Sequence, residues 1–110
     1  MMINCLRQNE WTVVVLNGDV DSFTYSLWAK ELNVLMRTGV KKLRIDVTRG
    51  SIYNLKSMQI IVKILQDLHR REGELEFVGA NQETKEMIEL MVKADQNIGP
   101  DRLIFKASES

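Results

Sequence analysis

The fold of this chain is decided by one stretch, "DVTRGSIYNLKSMQIIV", at residues 46–62. It begins as the end of an apolar, β-branched strand pattern and ends with apolar residues at helical spacing. Between the two lies a short polar junction, Asn54-Leu55-Lys56-Ser57. A strand that leads directly into a helix is typical of α/β proteins with parallel strands. The junction, at the N-terminus of that helix, is therefore the first candidate site.

Strands are predicted at five runs that are rich in apolar and β-branched residues. The first run is short and suits the edge of a sheet, while the following ones are more apolar and suit its centre. The predicted strands cover residues 3–6, 11–18, 40–47, 74–80 and 102–107.

Helices are predicted at three segments in which apolar residues recur every three or four positions. A capping residue precedes each segment: Asp21 or Ser22, then Asn54, then Asn81. The first helix is predicted to end near residue 38, and the other two cover residues 56–71 and 82–94. Their predicted inward faces are Leu27, Trp28, Leu32, Leu35 and Met36; Met58, Ile61, Leu65 and Leu68; and Met87, Leu90 and Met91.

The resulting order of elements is β β α β α β α β. Consecutive strand–helix–strand units pair in parallel through right-handed crossovers, which place the helices on the same side of the sheet. We therefore expect an α/β fold with a small mixed β-sheet and helices packed mainly on one face. With 110 residues in total, residues 1–110 are expected to form a single domain.

Composition excludes several classes of function. Lys plus Arg and Asp plus Glu number 15 each, so the chain lacks the excess positive charge expected of a nucleic-acid-binding protein. The N-terminus lacks the apolar core of a signal peptide, and no apolar run approaches the roughly 20 residues of a membrane span. A single cysteine, Cys5, permits no internal disulfide. These features predict a cytoplasmic protein without direct membrane insertion.

Catalytic and metal-binding patterns are also missing from the sequence. His69 is the only histidine and has no second histidine at ligand spacing, so it is interpreted as a solvated helix residue. Cys5 stands outside any Cys-x-x-Cys pair and is interpreted as a structural residue. Neither a phosphate-binding glycine loop nor a nucleophile elbow occurs. We therefore predict no catalytic residue, no metal site and no cofactor.

A further inference comes from family resemblance. The segment "VVVLNGDVDSFTYSLWAKEL", at residues 13–32, resembles the opening of STAS domains, the family of sulfate transporters and anti-sigma factor antagonists. These domains carry a turn of the form L-x-G-[ED]-[LV]-D between a strand and a helix. The turn is filled here by Leu16, Gly18, Asp19, Val20 and Asp21. The resemblance continues without a gap through "KLRIDV", the junction, Gly73 and "ELEFVGANQETKEMIEL".

The resemblance implies that the junction is a regulatory site. Eight residues after Asp46, the family places the Asp-Ser-Ser-Gly or Asp-Ser-Thr-Gly motif whose third residue accepts a phosphate, and the four positions are occupied here by Asn54, Leu55, Lys56 and Ser57. A lysine cannot accept the phosphate. A shift of one residue makes Ser57 the phosphoacceptor candidate; the alternative is that Ser57 is a structural serine of the first helical turn.

Lys56 raises an electrostatic question of its own. In the first turn of a helix, the helix dipole disfavours a cation by about 0.3–1 kcal/mol. Either a nearby carboxylate compensates, with Asp21 the first candidate and Asp19 the second, or the ammonium group is simply solvated.

The implied function is that of a non-enzymatic regulatory module, most like an anti-sigma factor antagonist. Its partner would be an anti-sigma factor with serine kinase activity. The alternative is a cytoplasmic STAS accessory subunit of a membrane transporter complex, bound to the transporter ATPase. In either case the predicted partner-binding surface comprises Asp19, Asp21, Asn54, Leu55, Lys56, Ser57 and Met58.

Overall fold

The computed structural model describes residues 1–52, 54–95 and 103–107. Five strands and three helices follow one another in the predicted order, and the predicted α/β class is confirmed. The elements are β1 Met2–Gln8, β2 Trp11–Val20, α1 Tyr25–Met36, β3 Lys42–Ile52, α2 Leu55–Arg70, β4 Glu74–Val78, α3 Gln82–Ala94 and β5 Leu103–Lys106.

The strands form one sheet in the order β1-β2-β3-β4-β5. β1 runs antiparallel to β2, to which it is joined by the two-residue turn Asn9-Glu10, and every later pairing is parallel. Because parallel neighbours follow one another in sequence order, right-handed crossovers place all three helices over the same face. The prediction of a small mixed sheet with one covered face is therefore confirmed.

The core lies between the covered face and the helices. Alternate strand residues point toward the helices and are almost fully buried, as the twofold period of a strand requires. From β2, β3 and β4 they are Val14, Leu16, Leu43, Ile45, Val47, Leu75 and Phe77. α2 contributes the largest helical share and contacts both α1 and α3. The residues predicted for its inward face, Met58, Ile61, Leu65 and Leu68, are all buried.

The other two helices correct parts of the predicted core. In α1, Trp28, Leu32 and Met36 are buried, but Leu27 is 45% exposed. In α3 the buried stripe is Thr84, Ile88 and Val92, so the prediction that Met87 and Leu90 point inward is wrong. Residues four apart lie on the same side of a helix, so the inward side that begins at Thr84 continues with Ile88 and Val92. Met91, also predicted to point inward, packs against the core while partly exposed.

Three strands extend beyond their sequence patterns: β1, β2 and β3. β3 continues to Ile52 because β2 continues to Val20, with Gly18 paired to Gly50 and Val20 to Ile52. A Cβ at residue 50 would lie 2.7 Å from the carbonyl oxygen of Gly18, so this close pairing requires glycine. The extension carries the chain directly to the junction. Arg102, which was included in the predicted last strand, lies outside the described residues.

Candidate functional site

The junction is an ordered helix start at the carboxyl end of β3. Asn54 has an extended backbone, and its side-chain oxygen accepts a hydrogen bond from the Lys56 N–H at 2.8 Å. Its carbonyl oxygen accepts from the N–H groups of Ser57 and Met58 at 3.0 and 3.2 Å. The predicted N-cap at Asn54 is therefore confirmed. With this cap in place, the sides of the helix on which residues 55–58 lie are fixed.

A second capped turn lies at the carboxyl end of β2. The Asp21 carboxylate accepts hydrogen bonds from the N–H groups of Phe23 and Thr24 at 2.9 and 3.1 Å, and the Thr24 hydroxyl oxygen lies 2.9 Å from the Asp21 N–H. This reciprocal arrangement has the form of a capping box but closes the turn that precedes α1. The N-cap residue of α1 is Thr24, without a side-chain cap hydrogen bond, so the prediction that Asp21 or Ser22 caps this helix is wrong. The two backbone donors lower the pKa of Asp21, first that of Phe23 and then that of Thr24. The Asp21 carboxylate is therefore hydrogen-bonded by backbone N–H groups of its own turn.

Lys56 projects from the first turn of α2 and is exposed. Within the described part of the chain, its ammonium group forms no ion pair with Asp21 or Asp19. The alternative of a solvated ammonium group is therefore the one observed. A cation thus lies at the positive end of the helix dipole, and no carboxylate within the described residues compensates it.

Ser57 lies inside the molecule. Its side chain is fully buried, and its hydroxyl has no hydrogen-bond partner within the described residues. The carbonyl oxygen of the same residue accepts from the Trp28 indole N–H at 3.3 Å, which joins α2 to α1. Helical spacing contained the signal for this burial, because Ser57 lies four residues before Ile61 and eight before Leu65. A kinase could reach the hydroxyl only if this turn opened.

Leu55, in contrast, is 58% exposed and lies between two clefts. The first cleft, of about 520 Å³, separates the start of α1 from the start of α2. The second, of about 150 Å³, separates α2 from the start of α3. Ser22, Tyr25, Asn54, Leu55 and Lys56 line the first; Ser51, Ile52, Leu55, Met58, Asn81, Glu83, Thr84 and Met87 line the second.

Two further exposed apolar residues were not predicted as site residues. Phe23, in the turn that precedes α1, is 92% exposed, and Met87, at the edge of the second cleft, is 38% exposed. The proximity of Met87 to the junction depends on how the start of α3 approaches α2. No sequence motif records that approach.

The face of the sheet opposite the helices carries a wider groove, of about 680 Å³. Three of its charged residues are paired, since Glu76 lies 2.8 Å from Arg44 and 3.6 Å from Lys106. Arg44 also lies over the ring of Trp11, at 4.8 Å from its centroid. These contacts indicate a structural role for the three paired charges.

Other candidate chemistry is sparse. Among residues 1–52, 54–95 and 103–107, no three His, Cys, Asp or Glu side chains are grouped to hold a metal ion. No helix in the same ranges is long and apolar enough to cross a bilayer. Desolvation, and to a lesser extent the charge of Glu31, raise the pKa of the Cys5 thiol, which disfavours the reactive thiolate.

Solved structures of anti-sigma factor antagonists share this fold. The unphosphorylated form of SpoIIAA superimposes with a TM-score of 0.69 at 12% identity, over 99% of this chain and 89% of that one. The phosphorylated form of SpoIIAA from Bacillus gives 0.72 at 12% identity, over 98% and 93%. A putative anti-sigma factor antagonist from Thermotoga maritima gives 0.74 at 16% identity, over 97% and 86%. At these identities the likeness establishes the fold.

Sequence comparison establishes the family. No curated protein sequence matches this chain at a significant level. The family model of the STAS domain, however, matches residues 2–107, which is nearly the whole chain. The resemblance carried by the turn at Asp19 and Asp21 and by the junction is thereby confirmed, and the chain belongs to the STAS domain family.

Proposed function

We propose that this protein is a non-enzymatic, cytoplasmic regulatory module that acts as an anti-sigma factor antagonist. Its partner is an anti-sigma factor with serine kinase activity, which releases its sigma factor when the module binds. The observation that carries this proposal is the ordered junction at the carboxyl ends of β2 and β3, in a chain of the STAS family. A partner meets there a preformed surface that needs no unfolding.

The proposed partner-binding surface comprises Asp19, Asp21, Asn54, Leu55, Lys56, Ser57 and Met58. These residues contribute in different ways. Asp19, Leu55 and Lys56 are exposed and available for direct contact. Asp21 holds the turn before α1, Asn54 caps α2, and the buried Ser57 and Met58 anchor the first turn of α2. Direct recognition therefore rests on the exposed members, whose positions the others fix.

Ser57 remains the candidate phosphoacceptor of the chain. A phosphate at this position would disrupt docking through its negative charge and bulk. Because the hydroxyl is buried, modification requires the first turn of α2 to open. We expect Ser57 to remain unmodified when the protein is incubated with its cognate kinase and ATP. Mapping of phosphate by mass spectrometry tests this, and stoichiometric modification of Ser57 would show that the switch is retained.

The identity of the partner is tested by affinity capture of the full chain from its native host, followed by mass spectrometry and calorimetry with the purified partner. We expect an anti-sigma factor that binds with one-to-one stoichiometry. Capture of a transporter ATPase that binds directly would instead favour the alternative of a transporter accessory subunit. If neither class binds the purified protein, the proposed function is wrong.

A further inference from the structure

We propose that the partner grips an apolar ridge at Leu55 and presents a carboxylate to Lys56. This inference rests on the proposed function, because it concerns the same surface, and it names the chemistry of the partner. The ridge is defined as Leu55 together with the two clefts on either side of it. Its flanking apolar residues are Tyr25 on the α1 side and Met87 on the α3 side.

The apolar part of the argument concerns side chains that the fold leaves uncovered. Leu55 is 58% exposed although it begins the most strongly amphipathic helix of the chain. The second cleft has the nearly buried side chain of Met58 in its lining and Met87 at its edge. Phe23, in the turn that precedes α1, is 92% exposed. A ridge between two clefts suits apolar anchors from a partner, since anchors that fill pockets dominate interface energetics.

The electrostatic part of the argument concerns Lys56. α2 has no acidic residue in its first turn, whereas α3 carries Glu83 in the corresponding place. Lys56 is therefore a cation at an unfavourable helix end, and it forms no ion pair within the described residues. A carboxylate from outside the chain would complement both the ammonium group and the positive end of the helix dipole. Charge complementarity thus indicates an acidic residue in the partner, next to its apolar anchor.

A second copy of this chain fits the surface less well. In a twofold dimer centred on the ridge, the two copies of Lys56 would be brought toward one another, and like charges at an interface are unfavourable. The occupant we infer is therefore a different protein, and self-association becomes an outcome of the test.

The first test is site-specific photo-crosslinking in the native host with the full chain. A benzophenone amino acid is placed at Leu55 in one variant and at Val34 in the control. Val34 is 49% exposed on α1 and lines neither cleft. We expect an adduct with the captured partner from residue 55 and none from residue 34. An adduct only from the control, no adduct from either position, or an adduct between two copies of this chain would overturn the inference.

The second test measures affinity with the purified partner that the capture experiment identifies. We expect Leu55→Ala and Lys56→Glu each to raise the Kd about tenfold or more, as for residues near an interface centre. Val34→Ala is the matched control and should change the Kd less than about threefold, since it removes no contact of the ridge. Circular dichroism melts verify that each variant is folded.

A charge-reversal experiment tests the contact between Lys56 and the partner carboxylate directly. The partner carboxylate found by mapping the crosslink is replaced by lysine, and this change should recover most of the affinity lost in Lys56→Glu. If the partner is an anti-sigma factor but both ridge variants bind as the wild type does, the ridge is wrong and the proposed function stands. If binding needs Leu55 and Lys56 but the partner belongs to another class of protein, the ridge stands and the proposed function is wrong.

Discussion

The body of α2 and its first turn differ in which residue types are buried. In the body, the residues that face the sheet and the neighbouring helices are apolar, and Ile61, Leu65 and Leu68 are completely buried. In the first turn, the leucine is exposed and the serine is buried: Leu55 is 58% exposed and Ser57 is 0% exposed. The same helix therefore buries apolar side chains along most of its length and leaves an apolar side chain exposed at its start.

The inversion follows from how the first turn is placed. The Asn54 cap and the end of β3 fix the rotation of the helix, and each later residue is turned by about 100° relative to the one before. The rotation that brings Ile61 and Leu65 inward also brings Ser57 inward and leaves Leu55 outside. Leu55 therefore contributes less to the core than the other leucines of α2.

The largest expected effect is in the body of α2. Leu65→Ala should lower the free energy of unfolding by about 2–5 kcal/mol, because a fully buried leucine leaves a cavity when truncated. Urea denaturation of the variant and the wild type measures the change. Lys63→Ala, on the exposed side of the same helix, is the control. A loss of less than about half a kilocalorie for Leu65→Ala, with an unchanged denaturant slope, would contradict the description of this core.

The fold was largely predictable because its signals are local. Apolar periodicity and capping residues located all three helices, and β-branched runs located the strands. α3 shows where this reasoning fails: Met87 and Leu90 are long apolar residues, yet Ile88 and Val92 occupy the buried stripe. α3 contains several apolar residues, and their sequence spacing alone does not predict which of them are buried. Their burial depends on how α3 packs in the fold, including its contact with α2.

The site was predictable only in part, because it is assembled from three helix starts. The caps at Asn54 and Asn81 follow from local residue types and were found, whereas α1 begins after Thr24 and not after the predicted Asp21 or Ser22. Met87 was missed as a site residue, because its place in the second cleft arises from tertiary packing. The compensation of Lys56 by Asp21 or Asp19 was one of two predicted alternatives, and Lys56 forms an ion pair with neither residue.

The second largest effect is expected at Ser57. Ser57→Asp should lower the free energy of unfolding by more than about 2 kcal/mol, since an unpaired buried charge costs more than a neutral polar group. Ser57→Ala is the matched control and should leave stability unchanged or raise it, because it removes a hydroxyl that has no partner within the described residues. Thermal and urea melts of both variants measure these changes.

The loss in free energy of unfolding caused by Ser57→Asp, called the deficit below, should also depend on pH. Burial raises the pKa of the introduced carboxyl in the folded state, so the folded form binds the proton more tightly than the unfolded form does. The deficit relative to Ser57→Ala should therefore grow as the pH rises above the unfolded pKa of about 3.9 and shrink below it. A deficit that is equally large at pH 3 and pH 7 would indicate a steric cause instead.

A smaller effect of the opposite sign is expected at Lys56. Lys56→Glu should raise the free energy of unfolding by about 0.3–1 kcal/mol, because it exchanges an unfavourable cation for an anion at the helix N-terminus. Lys63→Glu, within the helix body, controls for the change in net charge. The gain should diminish at high salt, as an exposed electrostatic effect does. A gain that is equal for both variants would show that net charge, and not the position in the first turn, is responsible.

The smallest effect on stability is expected at Leu55, although the residue is a leucine in the same helix as Leu65. Leu55→Ala should change the free energy of unfolding by no more than about 0.5 kcal/mol, because most of the side chain is already in water and alanine suits a helix start well. Parallel urea denaturation of Leu55→Ala and Leu65→Ala makes the comparison within one helix. If the two truncations cost the same, Leu55 is part of the core and the contrast between body and first turn does not hold. If Leu55→Ala leaves stability intact and weakens partner binding, the leucine is maintained for recognition, and the first turn of α2 is the functional part of an otherwise structural helix.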